Sequence, residues 1–367
     1  MALLPLRKFC GWRKWDNMDI FQLLQLAIDK QASDLHIIPD YYPSFRINGE
    51  LYQISTLPVT TKETAQEMAF SLVNNEQKEN LLSNREIDLG YGYKDYRFRV
   101  NIYFAKDVIN ISLRTIPKYI RTLEELGLPP FLHDCINYRQ GLILLTGPTG
   151  EGKSTTLASI INEINTKFAR HIVTIEDPVE YIYPKVKSII SQRQLHDDTH
   201  SWNIALKSAL REDPDVIMVG EMRDYETIQL VLTAAETGHL VFSTLHTNST
   251  PETIDRMINI FPPNYQSQVR NQLAAVLKIV LAQRLLPKIG GIERVPAVEI
   301  LVNTMAVGAA IRDGKTYLIS NMLETSESED MILFEKNILS LYQQGIISRE
   351  TAFSYAIRPK ELEKFIK

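Results

Sequence analysis

The sequence predicts an α/β domain with a parallel sheet, preceded by a smaller α+β domain and followed by a largely helical C-terminal portion. Three observations predict it. Residues Thr146 to Ser154 read Thr-Gly-Pro-Thr-Gly-Glu-Gly-Lys-Ser, a G-x-x-x-x-G-K-[ST] loop running from Gly147 to Ser154. Short apolar runs at 142–145, 172–175, 216–219 and 240–243 alternate with helical segments, the pattern of a parallel sheet with crossovers. Before residue 118, several strand-like runs accompany one strongly amphipathic helix, the grammar of an α+β unit.

With 367 residues the chain is long enough for two or three domains with cores of their own. A hydrophobic content of 44% with 23% charged residues places it among globular proteins and excludes a disordered or fibrous chain. The formal net charge of −4 gives no bulk case for nucleic-acid binding, and beyond residues 1–17 no basic patch interleaved with aromatics adds one. Two cysteines, Cys10 and Cys135, suffice for neither a four-cysteine zinc site nor a disulfide scaffold, and point to a reducing, cytoplasmic setting. No uninterrupted apolar run reaches the roughly 18 residues of a membrane span; the strongest, residues 273–286, carries Lys278, Gln283 and Arg284 and reads as a helix packed within a domain. Residues 1–17 hold Arg7, Lys8, Arg13 and Lys14 beside Phe9, Trp12 and Trp15 but lack the apolar stretch of a signal peptide, so a disordered tail is expected there.

The expected order of domains is a tail over 1–17, an α+β domain over 18–117, a hinge over 118–140 and the nucleotide domain over 141–367. Residues 20–30 have helical apolar spacing, and Asn48-Gly49 marks a turn between strands. Alternation over 96–104 puts Arg97, Arg99 and Asn101 on one face and Phe98, Val100, Ile102 and Phe104 on the other. Over 109–114 the same rule gives Asn110, Ser112 and Arg114 a polar face. Planar, multi-donor guanidinium groups on rigid strands suit phosphate recognition, against the plainer reading of a solvated face. Pro117, Pro129 and Pro130 punctuate the hinge.

In the nucleotide domain, a strand at 142–145 feeds the loop and a helix from Thr155 to about Asn165 leaves it. Free N–H groups of the loop from Gly147 to Gly152, Pro148 excepted, and of the helix start, ending at Thr155, would face the phosphates; Pro148 itself contributes only shape. Lys153 supplies a compact positive charge and Ser154 an oxygen for Mg²⁺. Thr149, Gly150 and Gly152 complete the cradle, and Glu151 stands where a small residue is usual. Because ligands of parallel sheets bind beyond the strands' carboxyl ends, Glu176 to Glu180, Gly220 to Asp224 and Thr244 to Thr247 should converge on the loop. Hydrolysis needs a carboxylate to activate water, an acidic group near Mg²⁺ and a polar sensor of the γ-phosphate, and these clusters contain all three. Downstream, 251–367 reads as mostly helical, with an amphipathic helix at 332–343 stopped by Gly345 and a new start at Ser348.

Four ordered segments carry a family resemblance: Gly147 to Ser154, Thr174 to Glu180, Asp213 to Asp224, and Thr237 to Asn248. They resemble the Walker A, Asp, Walker B and His boxes of secretion and pilus ATPases, and look most like the PilT family of type IV pilus retraction ATPases. The likeness extends over about 19–367, taking in Ala32 to His36 and Arg97 to Asn101. It implies a PAS-like first domain, a RecA-like P-loop motor domain, a hexameric ring and ATP with Mg²⁺ as cofactors. It also implies an inner-membrane platform protein as partner, with peripheral membrane association; a second pilus ATPase is a candidate partner that the altered stretch at 306–311 suggests. In the same sense Glu176 is the general base, Glu221 the Walker B glutamate near the metal and His246 the His-box sensor, with His239 a weaker member of that box. Arg97, Arg99 and Arg114 match arginines that reach nucleotide from the first domain, and Arg85 is a further candidate. One stretch departs from the pattern: where retraction members carry Ala-Ile-Arg-Asn-Leu-Ile, this chain has Ala306-Val-Gly-Ala-Ala-Ile311, so Gly308 and Ala309 replace the polar pair. Assembly ATPases, conjugation or secretion ATPases, and a weakly hydrolysing structural partner in a mixed motor are the competing readings.

Overall fold

The computed structural model describes residues 19–47, 49–291, 293–326, 330–363 and 366. The expected tail over 1–17 and Asn48 of the expected turn lie outside the described residues. The chain divides into two compact units, one running up to Tyr119 and taking in Pro178–Ile182, the other comprising Ile120–Asp177 and Tyr183–Lys367.

In the first unit α1 (Ile20–Asp29) starts at Asp19, whose carboxylate accepts from Gln22 N at 2.8 Å while the Gln22 side chain reaches back to the Asp19 backbone, a reciprocal cap. Then follow β1 (Asp34–Ile37), β2 (Ser44–Ile47), β3 (Glu50–Gln53), α2 (Lys62–Phe70), α3 (Asn75–Asn84), β4 (Glu86–Tyr93), β5 (Tyr96–Ala105) and β6 (Val108–Ile116). They form one antiparallel sheet in the order β3-β2-β1-β6-β5-β4. Leu23, Leu24 and Ala27 of α1 close on Phe98, Val100 and Ile102 of β5 and Ile111 and Leu113 of β6 in a single apolar core. β5 alternates as its sequence predicts, with Arg97, Arg99 and Asn101 off that core. On β6 the expected polar face is only partly so: Asn110 is buried, its amide satisfied by Val108 O at 3.0 Å, while Arg114 is exposed.

The second unit opens with a 3-10 helix (Pro130–Asn137) and continues through β7 (Gly141–Thr146), α4 (Lys153–Lys167), β8 (His171–Glu176), β9 (Ile189–Gln194), α5 (Trp202–Ala209), β10 (Val216–Val219), α6 (Tyr225–Glu236) and β11 (Leu240–Leu245). After these come α7 (Thr250–Asn259), α8 (Pro263–Val276), β12 (Leu277–Pro287), β13 (Arg294–Val302) and α9 (Met305–Arg312). A short 3-10 turn (Thr316–Leu318) leads into α10 (Ile319–Thr325), α11 (Phe334–Gln343), α12 (Arg349–Tyr355) and α13 (Pro359–Leu362). The seven-stranded sheet runs β13-β12-β7-β11-β10-β8-β9; neighbours are parallel except β13, which is antiparallel to β12. Every residue of β7, β10 and β11 is buried, as strands covered on both faces must be. Ile228, Val231 and Leu232 of α6 and Val269 and Leu273 of α8 pack on Leu142, Leu144, Ile217, Val219 and Val241. This is the RecA-like arrangement of an α/β P-loop domain.

Two expectations need correction. Residues 273–286 are not one helix: α8 stops at Val276 and the next eleven residues are β12, seated between β7 and β13. A continuous apolar run looks alike in a buried helix and a buried strand, and here β-branched Ile279 and Val280 together with an open slot beside β7 decide for the strand. The C-terminal portion is therefore less helical than expected, since β12 and β13 complete the seven-stranded sheet from it. The break between α11 and α12 does follow the sequence: Gly345 has φ +70°, and the Ser348 hydroxyl accepts from Thr351 N at 3.1 Å. Among the described residues no helix is long and apolar enough to cross a membrane.

Candidate nucleotide site

Parallel register brings the ends of the strands level. Thr146 lies opposite Leu245, Ser243 opposite Val219 and Val219 opposite Ile175, so the phosphate loop, His246, Glu221 and Glu176 all emerge at one end of the sheet. A buried threonine network locks this edge: the Thr146 hydroxyl accepts from Thr247 N at 3.0 Å and lies 2.6 Å from the Thr247 hydroxyl, which in turn meets the Thr253 hydroxyl at 2.7 Å. The Thr244 hydroxyl donates to Gly220 O at 2.6 Å, fixing the loop that carries Glu221.

The loop's glycines are required by geometry. Gly147 has φ +144°, and a Cβ there would lie 2.3 Å from Gln283 O, an impossible contact. Gly150 and Gly152 are also left-handed, and Gly152 caps the fifteen-residue α4 without any side-chain hydrogen bond. The result is a helix N-terminus that carries partial positive charge and has no capping side chain in the way, a cradle that fits phosphate groups. Pro148, Thr149, Glu151 and Gly152 complete the turn, and Lys153, Ser154 and Thr155 form the first residues of α4. Of these, Lys153 is buried and Ser154 exposed.

Lys153 Nζ donates to Gly147 O at 2.6 Å and Pro148 O at 2.8 Å, and approaches His246 Nδ1 at 3.5 Å. His246 Nε2 meets Glu221 Oε2 at 3.1 Å, and Arg223 forms an ion pair with the other Glu221 oxygen. Since an ammonium can only donate, Nδ1 is the side of the His246 ring left to accept and Nε2 the side left to donate, so the ring bridges lysine and glutamate. Burial pulls the Lys153 ammonium below its ordinary range, an effect opposed by the charges of Glu151 and Glu221. Glu176, the last residue of β8, is buried; its Oε1 accepts from the Thr174 hydroxyl at 2.7 Å and from Gln192 Nε2 at 3.2 Å. In sheet order it is separated from the loop strand by β10 and β11. His239 is held by Ala234 O at 2.9 Å, at the foot of β11 and so at the opposite end of that strand from His246.

The arginines of the first unit are engaged within it. Arg97 Nε donates to Val179 O at 2.7 Å; Arg99 forks onto Asp88 at 3.0 and 2.6 Å and lies 3.6 Å from Glu180. Arg114 Nε donates to Asp34 at 3.0 Å yet keeps a side chain 68% exposed. Arg85 caps α3 in a left-handed conformation, pairs with Asp107 and lies over the Phe104 ring, which gives it a structural occupation.

Mg²⁺ typically keeps several waters and takes one or two carboxylates with substrate phosphates. Among the described residues no three acidic, histidine or cysteine groups cluster as a self-sufficient metal site. The exposed Ser154 and the carboxylate of Glu221 fit an ion carried in with a nucleotide, and fit poorly to one held by protein alone.

Sequence reasoning missed Gln192, Gln283 and Thr146. Gln192 lies on β9, a strand without a marked apolar pattern. Gln283 was visible as the one neutral polar side chain in an apolar run.

A phosphate loop on a RecA-like parallel sheet, with acidic groups and a histidine at neighbouring strand ends, defines a P-loop motor-type nucleotide-binding protein. The chain belongs to the type II/IV secretion system protein family, whose sequence model matches residues 17–362. It is 41% identical over 344 residues to the type IV pilus retraction ATPase PilT of Pseudomonas aeruginosa, covering 94% of this chain and 99% of that one. Over 351 residues it is 36% identical to the type IV pilus ATPase PilU of the same organism, covering 95% and 92%. The crystal structure of the pilus retraction motor PilT with bound ADP matches with a TM-score of 0.88 at 42% identity, over 95% of this chain and all of that one. The Legionella pneumophila ATPase DotB matches with a TM-score of 0.79 at 29% identity, over 90% and 93%.

Proposed function

We propose that this chain hydrolyses ATP with Mg²⁺ in a homo-oligomeric ring, a hexamer, and uses the work to retract a type IV pilus from the cytoplasmic side of an inner-membrane platform protein. The observation that carries this is the Lys153–His246–Glu221 chain set beside a phosphate cradle, in a protein that aligns over 94% of its length to a retraction ATPase. Assembly ATPases are less well matched: the chain aligns to 49% of the length of the Myxococcus xanthus PilB.

In this reading the N–H groups of Gly147 and of Thr149 to Thr155 bind the phosphates, and Lys153 turns from its own loop carbonyls to the incoming negative charge. Mg²⁺, when bound with the nucleotide, neutralises phosphate charge; Ser154 and Glu221 would hold it. Glu176 orients the attacking water and takes its proton, with Thr174 and Gln192 aiming the carboxylate. His246 changes partner with Lys153 and thereby reports the phosphate state to Glu221. Arg97, Arg99 and Arg114 supply charge from a neighbouring protomer.

The altered Ala306 to Ile311 stretch and the likeness to PilU support a second reading, in which the chain works as the partner of another pilus ATPase. Steady-state ATP turnover of the purified oligomer decides between them. Glu176→Gln and Lys153→Ala rings of the same size should each lose turnover by two or more orders of magnitude, about the contribution of a general base or a phosphate-binding charge. A parent ring without turnover favours the partner role.

A further inference from the structure

β12 runs past the end of β7. Its pairing with β7 ends at Ala282 opposite Thr146, while pairing with β13 continues to Pro287. Beyond Ala282 the edge of β12 that faced β7 has lost its strand partner, and buried backbone groups without partners are costly. The phosphate loop takes the place of the missing strand. Gly147 lies against Gln283 O, so close that no Cβ fits. The buried Gln283 side chain donates to Glu151 O at 2.7 Å and accepts from the Thr156 hydroxyl at 2.8 Å, bracketing the joint between loop and α4. The Glu151 carboxylate accepts from Leu285 N.

We infer that Gln283 and Glu151 are positioning residues that clamp the phosphate loop onto the free end of β12, and that the Glu151 carboxylate serves as a strut turned away from the phosphates. The inference rests on the reading of this loop as the nucleotide site. A glutamate in a phosphate loop would be expected to repel nucleotide; bonded to Leu285 N it substitutes for a sheet hydrogen bond and holds the loop open at its tight turn. Gln283 sets the register of the first turn of α4, in which Lys153 and Ser154 lie.

The two views of Glu151 predict opposite signs. Titration of the intact oligomer with a fluorescent N-methylanthraniloyl ADP and Mg²⁺, beside the KM for ATP, should show Glu151→Ala weakening nucleotide about tenfold, the loss of one charge-assisted hydrogen bond to the loop. Glu151→Gln keeps an acceptor for Leu285 N and should recover most of that loss. Gln283→Met keeps the volume, loses both bonds and should weaken nucleotide by at least as much, with the thermal transition moved little. Tighter binding by Glu151→Ala, or equal binding by the alanine and glutamine variants, overturns the strut. If Gln283→Met fails to fold, the Glu151 pair decides alone. Lys153→Ala is the separate arm: unchanged binding there overturns the loop as nucleotide site and the clamp with it, whereas lost binding together with an unaltered Glu151→Ala variant overturns the clamp alone.

Discussion

Glu176 shows how little freedom the proposed water-activating carboxylate has. It shares a face of β8 with Thr174, two residues earlier, and the Thr174 hydroxyl donates to its Oε1 at 2.7 Å. A carboxylate misaimed by a fraction of an ångström still binds nothing less tightly but transfers protons more slowly. Thr174→Val keeps shape and strand propensity and removes only that donor. It should lower kcat about tenfold and leave the KM for ATP within about twofold, since only the aim of the base changes. Parallel losses in kcat and affinity would instead mean that Thr174 supports the whole site. Glu176 could be picked out of the sequence because it ends an apolar strand. Gln192 could not, because its strand at the sheet's edge is held by pairing to β8 and carries no periodic apolar signal of its own.

At the scale of elements, the strands at 142–145, 172–175, 216–219 and 240–243 were readable because each is a short apolar run ended by polar residues. β12 was misread for a physical reason: its apolar run is continuous with that of α8, and only its neighbours in the sheet reveal where the helix gives way. That strand brings β13 in behind it, and with β13 comes Glu299, fully buried, which accepts from both the backbone N–H of Thr250 at 2.8 Å and the Thr250 hydroxyl at 2.9 Å. It thus caps α7, the helix that follows the His246 segment. Burial pushes its carboxyl above the usual range, partly offset by the two Thr250 bonds and the nearby Arg358. A carboxyl raised in the folded state favours folding when protonated, so its contribution is complete below the unfolded value of about 4.3 and is lost as pH rises through the folded value. Glu299→Gln retains an acceptor for Thr250 and cannot ionise. Its thermal transition, compared with the parent, should therefore gain as pH rises from 4 to 7.5; a constant difference across that range would mean that Glu299 folds with an ordinary pKa.

The whole molecule poses a question of connectivity. The phosphate loop, Glu221 and His246 belong to one compact unit, and Arg97, Arg99 and Arg114 to the other. Nucleotide bound at protomer boundaries would take the loop from one copy and the arginines from the next, so a ring would be a condition for turnover. Arg114 is the most telling of the three, with a guanidinium anchored at one nitrogen by Asp34 and otherwise exposed. Rings of Arg114→Ala alone should lose turnover by about 10³-fold, the scale of an arginine that neutralises transition-state charge. Rings of Lys153→Ala alone should be as inactive, for want of the loop lysine. Mixed in equal amounts, the two variants form some boundaries where an intact loop meets an intact arginine. With random assembly and independently firing sites, these are about a quarter of all boundaries. Turnover restored to that order in mixed rings, measured against unmixed rings at equal subunit concentration, establishes arginine supply in trans. Mixed rings as inactive as their parents would place both residues in the service of one protomer, and the boundary model of the site would fall.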